Sequence, residues 1–124
     1  MRMTINDGHG ALLRGLRRLM ESDALLAPLL ADRQIPSLTV EGLHSEPWAS
    51  ATFTGQRHKL DLKLRGEGTQ LEAARERLVA QLGEADLDLR GHVLVDLSLA
   101  EATTCSEAGE AFCRLSFEAL TVED

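Results

Sequence analysis

His58 and His92, with Cys105 and Cys113, are the side chains best suited to hold a metal ion, because imidazole and thiolate are the usual ligands of zinc. Their spacing argues against it. Neither these histidines nor His9 and His44 form a His-x-x-His pair, and the cysteines do not form Cys-x-x-Cys. The acidic run Glu84-Ala85-Asp86-Leu87-Asp88 lacks the repeated oxygen ligands and closing glutamate of a calcium loop, so it reads as solvated. Asp7-Gly8-His9-Gly10 is glycine-rich but has no strand before it, so it reads as a flexible start and not as a phosphate cradle. No Gly-x-Ser-x-Gly, phosphate-binding glycine loop or dinucleotide fingerprint is present. No catalytic residue, metal or cofactor is therefore expected.

Two groups of side chains remain. Arg57, Lys59, Lys63 and Arg65 form a basic row, and Trp48 and Phe53 lie just before it. A basic row on a strand is most often a solvated face. A loop tryptophan can plug the edge of a core, but tryptophan is also enriched where proteins bind one another. These six residues are the candidates for contact with neighbouring subunits or partners.

Composition narrows the field further. The 124 residues fit one domain, residues 1–124, with 1–9 as a flexible start. Aromatics make up 3% and tyrosine is absent, so the core must be built from Leu, Val and Ala. A chain so poor in aromatics lacks a stacking platform for single-stranded nucleic acid. The net charge of -7 disfavours nonspecific binding to DNA or anionic lipid. The charge is uneven: residues 1–65 carry 9 Lys/Arg and 7 Asp/Glu, residues 66–124 carry 4 and 13. Such asymmetry can matter when copies meet head to tail. No apolar run approaches the ~20 residues of a membrane span, no signal-peptide core is visible, and two cysteines are no disulfide framework. The protein is expected in the cytoplasm when made.

The elements that position these residues follow from periodicity. Leu12, Leu16, Leu19 and Met20 share one face of a helix predicted over Gly10–Ser22, with Arg14, Arg17 and Arg18 mostly off it. Asp23 reads as the N-cap of a short turn over Ala24–Ala31. A strand is predicted over Ser37–Leu43, then an irregular loop over His44–Gly55 carrying Trp48 and Phe53. The next strand alternates strictly: His58, Leu60, Leu62 and Leu64 point one way, Lys59, Asp61, Lys63 and Arg65 the other. Thr69 and Glu72 make a capping box before a helix whose buried stripe is Leu71, Ala74, Leu78 and Leu82, with Gly83 as its stop. Val93, Val95, Leu97 and Leu99 are predicted on one face of a third strand, and Cys113, Leu115 and Phe117 on one face of a fourth. A hairpin centred on Gly109 would set Cys105 opposite Cys113, Thr103 opposite Leu115 and Leu99 opposite Ala119. Facing cysteines could form a strained cross-strand disulfide, but two reduced thiols are expected in the cytosol. The expected fold is α+β: a four-stranded, largely antiparallel sheet with two main helices on one face, in the order α-β-β-α-β-β.

This ordering resembles the tail-terminator, or tail-completion, family of long-tailed phages and gene transfer agents. The resemblance is carried by "LLAPLLA" at Leu25–Ala31, "SLTVEG" at Ser37–Gly42, and "HKLDLKLRGEGTQLEAARERLVAQL" at His58–Leu82. The ending, "LRGHVLVDLSLAEATTC" followed by "GEAFCRLSFEALTVED", carries it furthest. It implies a ring of copies, commonly a hexamer, between the neck and the end of the tail tube, touching the tube protein and the neck or stopper protein. It implies no catalysis and no membrane, and DNA that passes through without specific binding. Another neck or connector protein is the near alternative. A small ligand-binding or enzymatic α+β domain, or an RNA-binding module, would need polar groups converging on the apolar side of the sheet or exposed aromatics on its strands.

Overall fold

Leu60, Leu62 and Leu64 are buried together with His58, as their alternation requires, while Lys59 between them is exposed. The computed structural model describes residues 8–31, 37–66, 68–107 and 109–123. Its elements run α1 (Gly8–Ser22), α2 (Ala27–Ala31), β1 (Leu38–Ala49), β2 (Thr54–Arg65), α3 (Gly68–Gly83), β3 (His92–Glu107) and β4 (Glu110–Glu123). The four strands form one sheet in the order β1-β2-β4-β3, and every pairing is antiparallel. With three helices among the described residues, the protein is an α+β fold. Residues 1–7, the larger part of the expected flexible start, lie outside the described residues; Gly8 and His9 belong to α1 instead.

One core joins the layers. Leu12, Leu16 and Met20 of α1 and Leu71, Ala74, Leu78 and Leu82 of α3 pack in a single cluster with Leu60, Leu62 and Leu64 of β2 and Leu115 and Phe117 of β4. Both helical stripes are those the periodicity predicts. α3 opens at Gly68, so Thr69 lies inside the first turn and not ahead of it. Glu72, expected to reach back in a capping box, pairs with Arg75 within the helix.

Asp23 does more than cap. Its Oδ2 accepts the backbone N–H of Leu25 (3.1 Å) and Leu26 (3.0 Å), as an N-cap should. Its Oδ1 accepts from Arg77 Nε (2.9 Å) and Nη2 (2.6 Å) and from Gln81 Nε2 (2.8 Å) on α3. The carboxylate is buried, so it fastens the turn after α1 to α3. The Arg77 hydrogen bond, opposed by burial, lowers its pKa from 3.8 to about 2. A group depressed in the folded state stabilises the protein above its unfolded pKa, and that contribution is lost as pH falls through the folded value. Asp23→Asn is thus expected to flatten the loss of stability between about pH 4 and pH 2 in urea melts. Asp23→Ala should cost about 2 kcal/mol at neutral pH, the upper end for loss of a cap, since Arg77 is left half-exposed to water.

The structure corrects three further expectations. The irregular loop over His44–Gly55 is mostly strand: β1 runs on to Ala49 and β2 starts at Thr54. Pro47 is accommodated within it because β1 is an edge strand, the place in a sheet where a residue without an N–H is tolerated. Only residues 50–53 turn, closed by Ser50, whose N–H donates to the Phe53 carbonyl (2.8 Å) and whose Oγ accepts the Phe53 N–H (3.1 Å).

The second correction concerns the last hairpin. Glu107 pairs with Glu110, leaving a two-residue turn in which Gly109 has φ +83°. This is one residue shorter than a turn centred on Gly109. Cys105 therefore faces Phe112, Thr104 faces Cys113, Ala102 faces Leu115, and Ala119 faces Leu97. Cys105 and Cys113 lie on opposite faces of the sheet, so no cross-strand disulfide joins them; both thiols are free. Burial pushes the Cys113 thiol above its ordinary value.

The third correction follows from the second. β3 has bulges between Leu94 and Asp96 and between Leu99 and Glu101. A bulge consumes one residue without a partner and so reverses the face that each side chain takes. Leu94 and Leu97 turn to the core, while Val93 and Val95 are 47% and 54% exposed.

Candidate assembly surface

The alternation that buries Leu60, Leu62 and Leu64 also presents Arg57, Lys59, Asp61, Lys63 and Arg65 on the other face of β2. The pairings place this row between Glu46, His44 and Thr39 of β1 and Leu120, Glu118, Ser116, Arg114 and Phe112 of β4. All six side chains expected to make contacts belong to one hairpin, and all but Phe53, which is in its turn, lie on one sheet face, but they differ in what they can reach.

Lys63 and Arg65 are half-buried. Lys63 Nζ stands 4.3 Å from the centroid of the Phe112 ring, and the Arg114 guanidinium stands 5.2 Å from the same ring. Two cations cover one aromatic side chain, which is how Phe112 is buried on the face away from the core. Arg114 Nε also donates to Glu41 (3.0 Å), and Ser116 Oγ donates to Asp61 (2.6 Å). This end of the row is engaged within the chain. Arg57 and Lys59 are exposed, and neither joins an ion pair among the described residues.

Trp48 and Phe53 lie at the far end of the hairpin. Trp48 faces Gly55 and is half-buried; Phe53, in the turn, is 54% exposed. Gly55 pairs in turn with Val122, which pairs with Val93. One cross-strand line thus ends in Trp48 on one margin of the sheet and in the exposed Val93 on the other. Sequence periodicity missed Val93 and Val95 as surface residues because the bulges that expose them leave no mark in the alternation.

A polar chain runs on the core side. Ser45 Oγ lies 2.7 Å from His9 Nδ1 and 2.6 Å from His58 Nδ1, and His58 Nε2 lies 2.8 Å from Thr121 Oγ1. A serine beside a histidine is the pairing used in nucleophilic catalysis. Here the hydroxyl bridges two imidazoles, and the far nitrogen of His58 meets a hydroxyl instead of the carboxylate of a triad. His58 and Thr121 are buried, so the chain ties the first turn of α1 to β1, β2 and β4. The signal for it was His58 standing among leucines, since a buried imidazole requires hydrogen-bond partners. Among the described residues, no group of three or more His, Cys, Asp or Glu side chains is placed to hold a metal ion. No helix among them is long and apolar enough to cross a membrane.

No known family profile matches this chain, and no curated protein matches it. Solved structures do. A chain in the structure described as "Virion of native gene transfer agent (GTA) particle" superposes with a TM-score of 0.74 at 22% sequence identity, covering 93% of this chain and 96% of that one. At that identity the likeness shows a shared fold: the two chains have the same architecture over almost their whole lengths.

Proposed function

We propose that this protein is a non-enzymatic structural component of a phage-like or gene-transfer-agent particle, and that it forms the ring ending the tail tube and joining it to the neck. The observation that carries this reading is the fold shared with a chain of a gene transfer agent virion, with neither chain extending far beyond the other. The resemblance of the sequence to tail terminators agrees with it. In this reading the helices cover one face of the sheet, and the hairpin with Trp48, Phe53, Arg57 and Lys59 makes contacts. Its partners are copies of itself, on the family's pattern six, with the tube protein on one side and the neck or stopper protein on the other. An acidic balance of -7 suits a conduit, because a strongly basic lumen would retain the passing DNA.

The test is loss of the gene in the producing cell, followed by electron microscopy of the particles. Tubes of uncontrolled length and heads without tails are expected, with normal structures restored by the wild-type chain. Labelled protein should lie where tube meets neck. Complete particles of normal tail length without the chain would refute the reading. A label elsewhere in the neck would favour a connector.

A further inference from the structure

Val122 is buried, yet it stands outside the core cluster. It lies on the sheet face away from the core, in the cross-strand line Trp48–Gly55–Val122–Val93. Gly55 brings no side chain to that line, so Trp48, Val122 and Val93 form an apolar band across all four strands. Half-buried Leu120 adds to it from the next line along β4. There the face turns polar, because Glu46, Arg57 and Asp96 share the line with Leu120. The band still exposes Val93, at 47%. An apolar strip at the end of a charged face, rimmed by polar side chains, has the character of a surface that a polypeptide covers.

The start of α1 lies directly behind this band. A Cβ on Gly8 would meet Gln56 Oε1 at 2.5 Å and Thr121 Oγ1 at 3.1 Å. Gln56 and Thr121 are the chain neighbours of Gly55 and Val122, with side chains on the core face. The sheet ends here, since β4 stops one residue past Val122 and β3 starts one residue before Val93. Residues 1–7, outside the described residues, join α1 at Gly8. Crossing from one side-chain layer of a sheet to the other takes about 10 Å. Seven extended residues span about 23 Å. Their sequence suits the band, because Met1, Met3 and Ile5 alternate with Arg2, Thr4 and Asn6, which gives an extended segment one apolar side. We propose that residues 1–7 pass round this end of the sheet and lay Met3 and Ile5 on the Trp48–Val122–Val93 band of their own chain. The occupant is the chain's own segment because it begins beside the band and is long enough to reach it. A partner that binds the band must first displace this strap. The proposal does not involve Phe53, Arg57 or Lys59, and it does not rest on the assembly reading.

Trp48 is the one tryptophan of the chain, so its fluorescence reports on the band directly. The full-length protein is compared with Met3→Asp/Ile5→Asp and with Thr4→Asp/Asn6→Asp, which adds the same charge on the other side of the segment. Met3→Asp/Ile5→Asp should red-shift Trp48 emission and raise its quenching by acrylamide at least about twofold. Thr4→Asp/Asn6→Asp should match wild type in both. All three should melt at nearly the same temperature, because the core is untouched. Equal quenching in the three proteins would overturn the proposal. So would a Met3→Asp/Ile5→Asp protein without a cooperative melt, since the segment would then belong to the core. The protection of Trp48 in wild type should also be independent of concentration. Protection that disappears on dilution would assign the covering segment to another copy and overturn the placement within one chain.

Discussion

Leu62→Asp is expected to leave no cooperatively folded protein. Leu62 is completely inaccessible and sits in an interior strand, between Val40 of β1 and Leu115 of β4. Its side chain belongs to the core cluster that also holds helix residues such as Leu16 and Leu78. Losing the leucine alone should cost about 2–5 kcal/mol, the usual range for truncating a buried Leu to Ala. An aspartate adds the cost of an unpaired carboxylate in an apolar site, several kcal/mol more even if it takes up a proton. A domain of this size has about 5–15 kcal/mol of stability in all, so the sum consumes most or all of it. Leu62→Ala should still fold, with a lowered denaturation midpoint, and it serves as the control for packing without charge. Soluble Leu62→Asp protein with a sharp melt would mean that this face of β2 is not the buried one.

The features legible in the sequence were those with a period. The α1 and α3 stripes and the β2 alternation all locate buried residues correctly, because each reflects a single boundary between core and water. The features that were not legible depend on single residues. Pro47 lies inside β1, which is possible because β1 is an edge, and no local pattern in the sequence marks a strand as an edge. The register of β3 turned on a turn of two residues against three, a difference that flips every side chain. Two bulges then restored Leu97 to the core while turning Val93 and Val95 outward. The candidate surface was half visible for the same reason. Arg57 and Lys59 follow from alternation and are exposed, whereas the engagement of Lys63 with Phe112 is a contact across strands that no linear pattern records. Asp23 is legible in the sequence as a cap, but its bonds to Arg77 and Gln81 join residues more than fifty positions apart.

Gly55→Ala is expected to destabilise this protein sharply. A Cβ on Gly55 would stand 2.0 Å from the Thr121 carbonyl oxygen and 2.9 Å from the Val122 Cα. Both obstacles are backbone of β4, so no side chain can swing aside to make room. The start of β2 must instead move away from β4, breaking the pairing that begins at Gly55 and Val122. Overpacking in a close-packed interior costs about 1–3 kcal/mol and sometimes more, and a clash with paired backbone belongs at the upper end. About 3 kcal/mol corresponds to a fall in Tm of roughly 10 °C for a domain of this length. Gly83→Ala is the matched control, because nothing lies within 4 Å of a Cβ there, and it should be neutral or slightly stabilising. The damage at Gly55 should also be local in a revealing way. Trp48 faces Gly55 and the turn with Phe53 lies just beyond, so a displaced strand carries both aromatic side chains with it. Hydrogen exchange should therefore accelerate over 48–56 and the partner end of β4, while α3 keeps its protection. If the hairpin makes the contact between copies, association should weaken in Gly55→Ala even at temperatures where the core remains folded. Unchanged Tm and unchanged exchange in that hairpin would show that β2 does not pass this close to β4.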